Sequence, residues 1–91
     1  MEIYKNIAKQ IDYLQVDIDP ADQSLKALRN LPLEEFRFSV ITFEHDYYLS
    51  GLSSVRDESR ELLHSHGYHL LVAGVETYGR NFEDWWVDST L

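Results

Sequence analysis

The stretch Arg37-Phe38-Ser39-Val40-Ile41-Thr42-Phe43-Glu44 decides the fold of this chain. Its β-branched and aromatic residues run on almost without a break, the composition of a strand buried on both faces. It ends abruptly in the polar run Glu44-His45-Asp46. Downstream, a loop around Ser50-Gly51 leads to an amphipathic helix over about Ser54–His66, with Val55, Leu62 and Leu63 on its apolar side. Ser53 or Ser54 can cap it, and Gly67 stands where a left-handed C′ residue belongs. Two strands follow, Tyr68–Val75 and Phe82–Val87, joined by a Gly79-containing turn over Thr77–Asn81. So short a connection predicts an antiparallel hairpin.

Upstream of the deciding stretch, Ile11–Ile18 (IDYLQVDI) alternates apolar and polar residues and predicts a strand. It stops at Asp19-Pro20, where proline suits the first position of a helix and aspartate suits its N-cap. Over Pro20–Asn30 the pattern is helical, with Ala21, Leu25 and Leu28 on one side, and Pro32 ends it. Ile3, Tyr4, Ile7 and Ile11 have helical spacing and predict a short helix before the first strand. Strands separated by helices imply a parallel core with right-handed crossovers, to which the hairpin adds one antiparallel strand. The expected fold class is therefore α/β, one domain over residues 1–91, with about four mixed strands and flanking helices.

Composition narrows the function classes. Sixteen acidic against eight basic residues give a net charge of −8, which repels nucleic acid and anionic membranes. There is no cysteine, hence no disulfide and no thiolate metal site. The first ten residues lack the apolar run and cleavage pattern of a signal peptide, and no stretch reaches the ~20 apolar residues that span a bilayer. A soluble, cytoplasmic protein without nucleic-acid or membrane partners is expected.

The order of elements, with the segments IDYLQVDID at 11–19, FSVITFE at 38–44, Leu62-Leu63 followed by Gly67-Tyr68, and FEDWWV at 82–87, resembles the C-terminal half of the FkbM-like methyltransferases. These belong to class I, with a Rossmann-like sheet whose seventh strand runs antiparallel. The resemblance spans about Ile11 to Leu91 and implies half of such a sheet. It implies S-adenosylmethionine as cofactor of the complete family, bound mainly on the first three strands beside a glycine-bearing loop. Here Gly51, Gly67, Gly74 and Gly79 are the only glycines, and none opens a helix directly after a strand. The expectation is a half-fold that binds no cofactor alone: an inactive methyltransferase fragment, one part of a two-chain enzyme, or a binding or assembly module.

Ligands of open α/β sheets bind beyond the carboxyl ends of the strands. Two polar groups fall there, Asp17 with Asp19 and Glu44-His45-Asp46, and they converge if the first two strands are neighbours. In the resembled family this edge faces the methyl acceptor, so these five residues are the catalytic candidates. One of Asp17, Asp19 or Glu44 would orient an acceptor hydroxyl or act as its general base, with His45 as a second candidate. The same three carboxylates are oxygen ligands suited to a hard divalent cation. Plainer readings exist: Asp19 as a helix cap, Asp17 as a polar strand end, and Glu44-His45-Asp46 as a solvated loop start. His64 and His66, near a helix C-terminus, complement its dipole. Arg56, Asp57, Glu58, Arg60 and Glu61 read as a solvated helix face. Trp85-Trp86 sends one ring to each side of the sheet. In the complete family sheet the first strand would be internal, so its open edge here predicts a homodimer through Tyr13 to Asp17, with the Trp85-Trp86 region as the other expected interface.

Overall fold

Six elements form in chain order: β1 (Gln10–Val16), α1 (Ala21–Asn30), β2 (Arg37–Glu44), α2 (Ser53–Ser65), β3 (Tyr68–Thr77) and β4 (Arg80–Asp88). They come from a computed structural model that describes residues 10–18, 20–48 and 53–90. The helix expected over the first ten or so residues, the loop at Ser50-Gly51 and Asp19 lie outside the described residues, although Gln10 and Ile11 themselves belong to β1.

The described residues make a small α/β domain with a four-stranded mixed sheet of order β1-β2-β4-β3. β1 and β2 are parallel neighbours joined through α1, the connection that parallel pairing requires. β4 runs antiparallel to both β2 and β3, so it returns between two strands that are parallel to each other. Tyr78 and Gly79 make this reversal, with φ of 54° and 75°. Two successive positive φ values are the mark of the tight type I′ hairpin, whose twist matches that of the strands. The strands therefore extend to Thr77 and from Arg80, beyond the Val75 and Phe82 at which the sequence pattern stops.

Register fixes the two faces. Leu14, Ile41 and Trp86 lie in one row and Val16, Phe43 and Asp84 in the next. Both helices cover this face: Ala21, Leu25 and Leu28 of α1 and Val55 and Leu63 of α2 join Val16, Ile41, Phe43 and Trp86 in one buried core. Each fully buried leucine contributes about 1.5–3 kcal/mol through removal of apolar surface from water. The opposite face carries Tyr13 and Val40 in one row, with Thr42 and Trp85 in the next. Trp85 is 39% exposed where its neighbour Trp86 is fully buried, the division expected from strand alternation. β2 is thus covered by helices on one side only, which its unbroken apolar composition does not reveal.

The helix ends follow local chemistry. Pro20 is the N-cap of α1, in extended backbone, so the helix starts one residue later than its expected first position. The Ser24 hydroxyl closes the entry by accepting from the Ile18 N–H at 2.7 Å and donating to the Ile18 carbonyl at 3.0 Å. Leu31 is extended because it precedes Pro32. Gly67 follows α2 with φ of 81°, as a left-handed C′ residue does.

Candidate functional site at the carboxyl end of the sheet

Because β1 and β2 are parallel and in register, with Val16 beside Phe43, they end together. Asp17 follows directly after β1, beside Glu44, the last residue of β2. On its other flank Glu44 is directly opposite Glu83 of β4, a like-charge pair of the kind that opposes sheet formation. Past Glu44 the chain curls along the hairpin. The N–H groups of His45 and Asp46 both donate to the Phe82 carbonyl at 2.8 and 3.0 Å, and Tyr48 N–H donates to the Asn81 carbonyl at 2.9 Å. Asp46 takes φ of +50°, and this turns its carboxylate inward. Only 5% of Asp46 is exposed, and its Oδ1 is buried without a hydrogen-bond partner among the described residues.

Asp17, Glu44 and Asp46 thereby converge. Burial raises the Glu44 pKa most, and the neighbouring carboxyl groups of Asp17 and Asp46 raise it further, to about 9. Glu44 is accordingly protonated at neutral pH and serves as a hydrogen-bond donor, since a carboxylate in low-dielectric surroundings beside two others cannot ionise freely. A cleft of about 240 Å³ opens over Glu44 and Asp46, with Tyr48, Tyr78, Arg80 and Phe82 on its other sides, while Asp17 lines a separate groove beside β1. Arg80 lies over the Tyr48 ring, 5.6 Å from its centroid. A perturbed carboxyl in a cleft at the carboxyl end of a parallel pair is what a binding site for a small polar molecule looks like. Among the described residues no three His, Cys, Asp or Glu side chains are arranged to hold a metal ion, and the cation set expected of Asp17, Asp19 and Glu44 includes Asp19, which lies outside them.

His45 goes elsewhere. It is fully buried, its Nδ1 accepts from the Tyr47 N–H at 3.1 Å, and its Nε2 therefore carries the proton that it donates to Asp84 Oδ1 at 3.2 Å. Both nitrogens are engaged, and the ring does not line the cleft. The expectation of His45 as a second base beside the carboxylates does not match this placement.

Asp84 is the residue that sequence reasoning missed. It receives the Arg60 guanidinium in a two-point contact (2.8 and 2.9 Å), the His45 ring, and the Gly74 N–H at 2.8 Å. Burial disfavours its ionised form, but the bonds from His45, Arg60 and Gly74 outweigh this and hold its carboxyl below the ordinary range. Arg60 is therefore no part of a solvated helix face, unlike Arg29 and Glu58, which pair in the open at 3.1 Å. A second fork joins Arg37 to Asp88, where the Arg37 hydrogen bond is the main force that lowers the Asp88 pKa. The one available signal is parity: Asp84 and Asp88 sit two residues either side of Trp86, on the face that must be buried.

Comparison with protein-family models, with curated proteins and with solved structures gives no match for this chain. No helix among the described residues is long and apolar enough to cross a membrane.

Proposed function

We propose that these 91 residues form the C-terminal part of a class I, FkbM-like methyltransferase domain, a half-fold that carries the acceptor-side carboxylates and binds no S-adenosylmethionine alone. The observation that carries this reading is the sheet: a parallel β1-β2 pair followed by an antiparallel last strand, in the chain order that the sequence segments suggest. Asp17, Glu44 and Asp46 at the carboxyl end of that pair support it, in the place where the acceptor would lie. Protonated Glu44 would donate a hydrogen bond to an acceptor oxygen, and Asp17 or Asp46 would take the proton of an acceptor hydroxyl.

The outer edge of β1 supports the same reading. Among the described residues β1 pairs with β2 alone, and a groove of about 400 Å³ runs beside it, lined mostly by Leu14, Val16, Ile18, Ala27 and Leu31 with Gln15 and Asp17 at its polar part. An edge strand with an apolar groove is suited to a further strand. In solution we expect a homodimer joined along β1. The exposed Tyr13, Val40 and Trp85 face favours a second reading, a non-catalytic assembly module that buries this surface on a partner.

Calorimetric titration with S-adenosylmethionine and S-adenosylhomocysteine, with sedimentation on the same sample, tests the proposal. No binding by a folded dimer is expected. Saturable binding by a monomer would overturn the half-fold reading, because the cofactor site would then be complete within one chain. A monomer whose β1 amides are protected from exchange would overturn the open-edge argument.

A further inference from the structure

Among the described residues, the carboxylates around the cleft form no ion pair. Asp17, Glu44 and Asp46 converge, and Glu83 is opposite Glu44, its Oε2 accepting from Trp85 Nε1 at 2.8 Å. Among the described residues, Arg80 is the one cationic side chain that lines the cleft. It is exposed, lies over Tyr48, and forms no ion pair with any of these acids. Elsewhere in the same molecule buried carboxylates are met by arginine forks, as at Asp84 and Asp88. The acidic group at the cleft is thus left for something from outside.

The buried Asp46 Oδ1 shows where that something binds. It has no hydrogen-bond partner among the described residues, its residue is 95% buried, and Asp46 lines the cleft together with Glu44. A buried acceptor left without a hydrogen bond is costly, so the fold keeps a strong acceptor poised there. The walls are aromatic: Tyr48 and Phe82 flank the carboxylates. Rings beside carboxylates suit an ammonium group with a carbon skeleton, the charge on the acids and the adjacent CH₂ groups against the rings. A bare divalent ion fits less well, because the described side chains form no three-ligand set and the space, about 240 Å³, is far larger than one ion.

We propose that the Glu44–Asp46 cleft is a binding site for a small organic ammonium ion, whose N–H groups bond Asp46 Oδ1 and the Glu44 carboxylate while its alkyl chain lies on Tyr48 and Phe82. Glu44 gives up its proton as the ammonium arrives, so the cation takes the place of that proton. The inference holds whether or not the chain is part of a methyltransferase.

The test uses n-butylammonium and 1,4-diaminobutane with the whole chain at neutral pH, followed by amide NMR and by calorimetry in two buffers of different ionisation heat. Expected are saturable shifts at the Asp46, Tyr48 and Phe82 amides and net proton release on binding. D46N is the first variant, and asparagine tolerates the left-handed backbone that position 46 adopts, so the fold is retained. Its affinity falls by about tenfold or more, the loss of one charge-assisted hydrogen bond. E44Q, which has no proton to release, binds without the buffer-dependent heat. Unmoved amides in a folded chain would overturn the proposal, and so would D46N binding as tightly as the parent. Shifts with magnesium or calcium but not with either amine would overturn the ligand class.

Discussion

Replacing Asp84 by asparagine tests the buried network most directly. The side chain is fully buried and accepts from three partners, Arg60, His45 and Gly74. Asparagine keeps one oxygen, which still accepts from His45 Nε2 and Gly74 N–H. Its amide NH₂ then stands where Oδ2 stood and confronts Arg60 Nε–H, donor against donor. One charge-assisted bond worth about 1.5–3 kcal/mol is lost, and Arg60 is left without its counter-charge. Breaking a buried ion pair by removing one partner costs about 3–5 kcal/mol in general. The Arg60 side chain is 26% exposed and so recovers some hydration, which puts the expected loss at the lower end of that range. At about 4–8 °C per kcal/mol for a domain of this size, a loss of about 3 kcal/mol lowers Tm by about 12–24 °C.

Urea unfolding followed by tryptophan fluorescence reads this loss, since Trp86 is fully buried two residues away on the same face of β4. R60M and the D84N/R60M double variant complete the cycle and isolate the Asp84–Arg60 coupling. The pH dependence has a definite sign. The folded pKa of Asp84 is depressed, so its contribution is complete above the ordinary carboxylate value of 3.8 and is lost as the pH falls below it. D84N therefore loses most at neutral pH and little in strong acid. A D84N loss below about 1 kcal/mol, with a coupling no larger than that of an exposed pair, would refute the reasoning.

Gly74 has φ of +67°, and a Cβ there would approach the Asn81 side chain to 2.4 Å. G74A should lose about 1–3 kcal/mol from the strained backbone alone, read as a lower urea midpoint, while G79A at the open turn should lose less because nothing faces its Cβ. Glu44 contributes the opposite pH slope to Asp84: its folded pKa is raised from 4.5 to about 9, so the folded state holds a proton that the unfolded state has lost, and stability declines as pH rises through that interval. The slope is at most about 1.4 kcal/mol per pH unit and is reduced by solvent screening at this half-exposed side chain. E44Q should flatten it, and identical pH profiles of the urea midpoint for E44Q and the parent would count against a protonated Glu44.

The sequence reveals elements where one residue pattern has one structural solution. Arg37–Glu44 becomes a strand with those boundaries, because a β-branched run ended by three polar residues leaves little choice. The hairpin is legible from Gly79, but its extent is not. The Tyr78-Gly79 turn and the register shifts between Leu70 and Glu76 depend on how β3 accommodates the bulge, and no periodicity encodes that. The meeting of Asp17 with Glu44 follows from two parallel neighbours ending together. The inward turn of Asp46 does not, since it needs a left-handed backbone at a residue other than glycine. Asp84 is hidden for a different reason: its partners His45 and Arg60 stand 39 and 24 residues away, and the β2–β4 pairing brings the first to it while the packed α2 brings the second.

The acids of this chain separate by how the fold treats their charge. Asp84 and Asp88 are taken from water and each is met by an arginine fork, so both stay ionised below the usual range. Glu44 is drawn toward Asp17 and Asp46 with no such fork, so it keeps its proton to about 9. Burial acts in the same direction on all three, and the presence of a partner decides the sign. A carboxyl group completed by internal arginine belongs to the architecture. One held neutral over an unpartnered buried oxygen, at the open end of a parallel pair, is completed only by a molecule that enters the cleft.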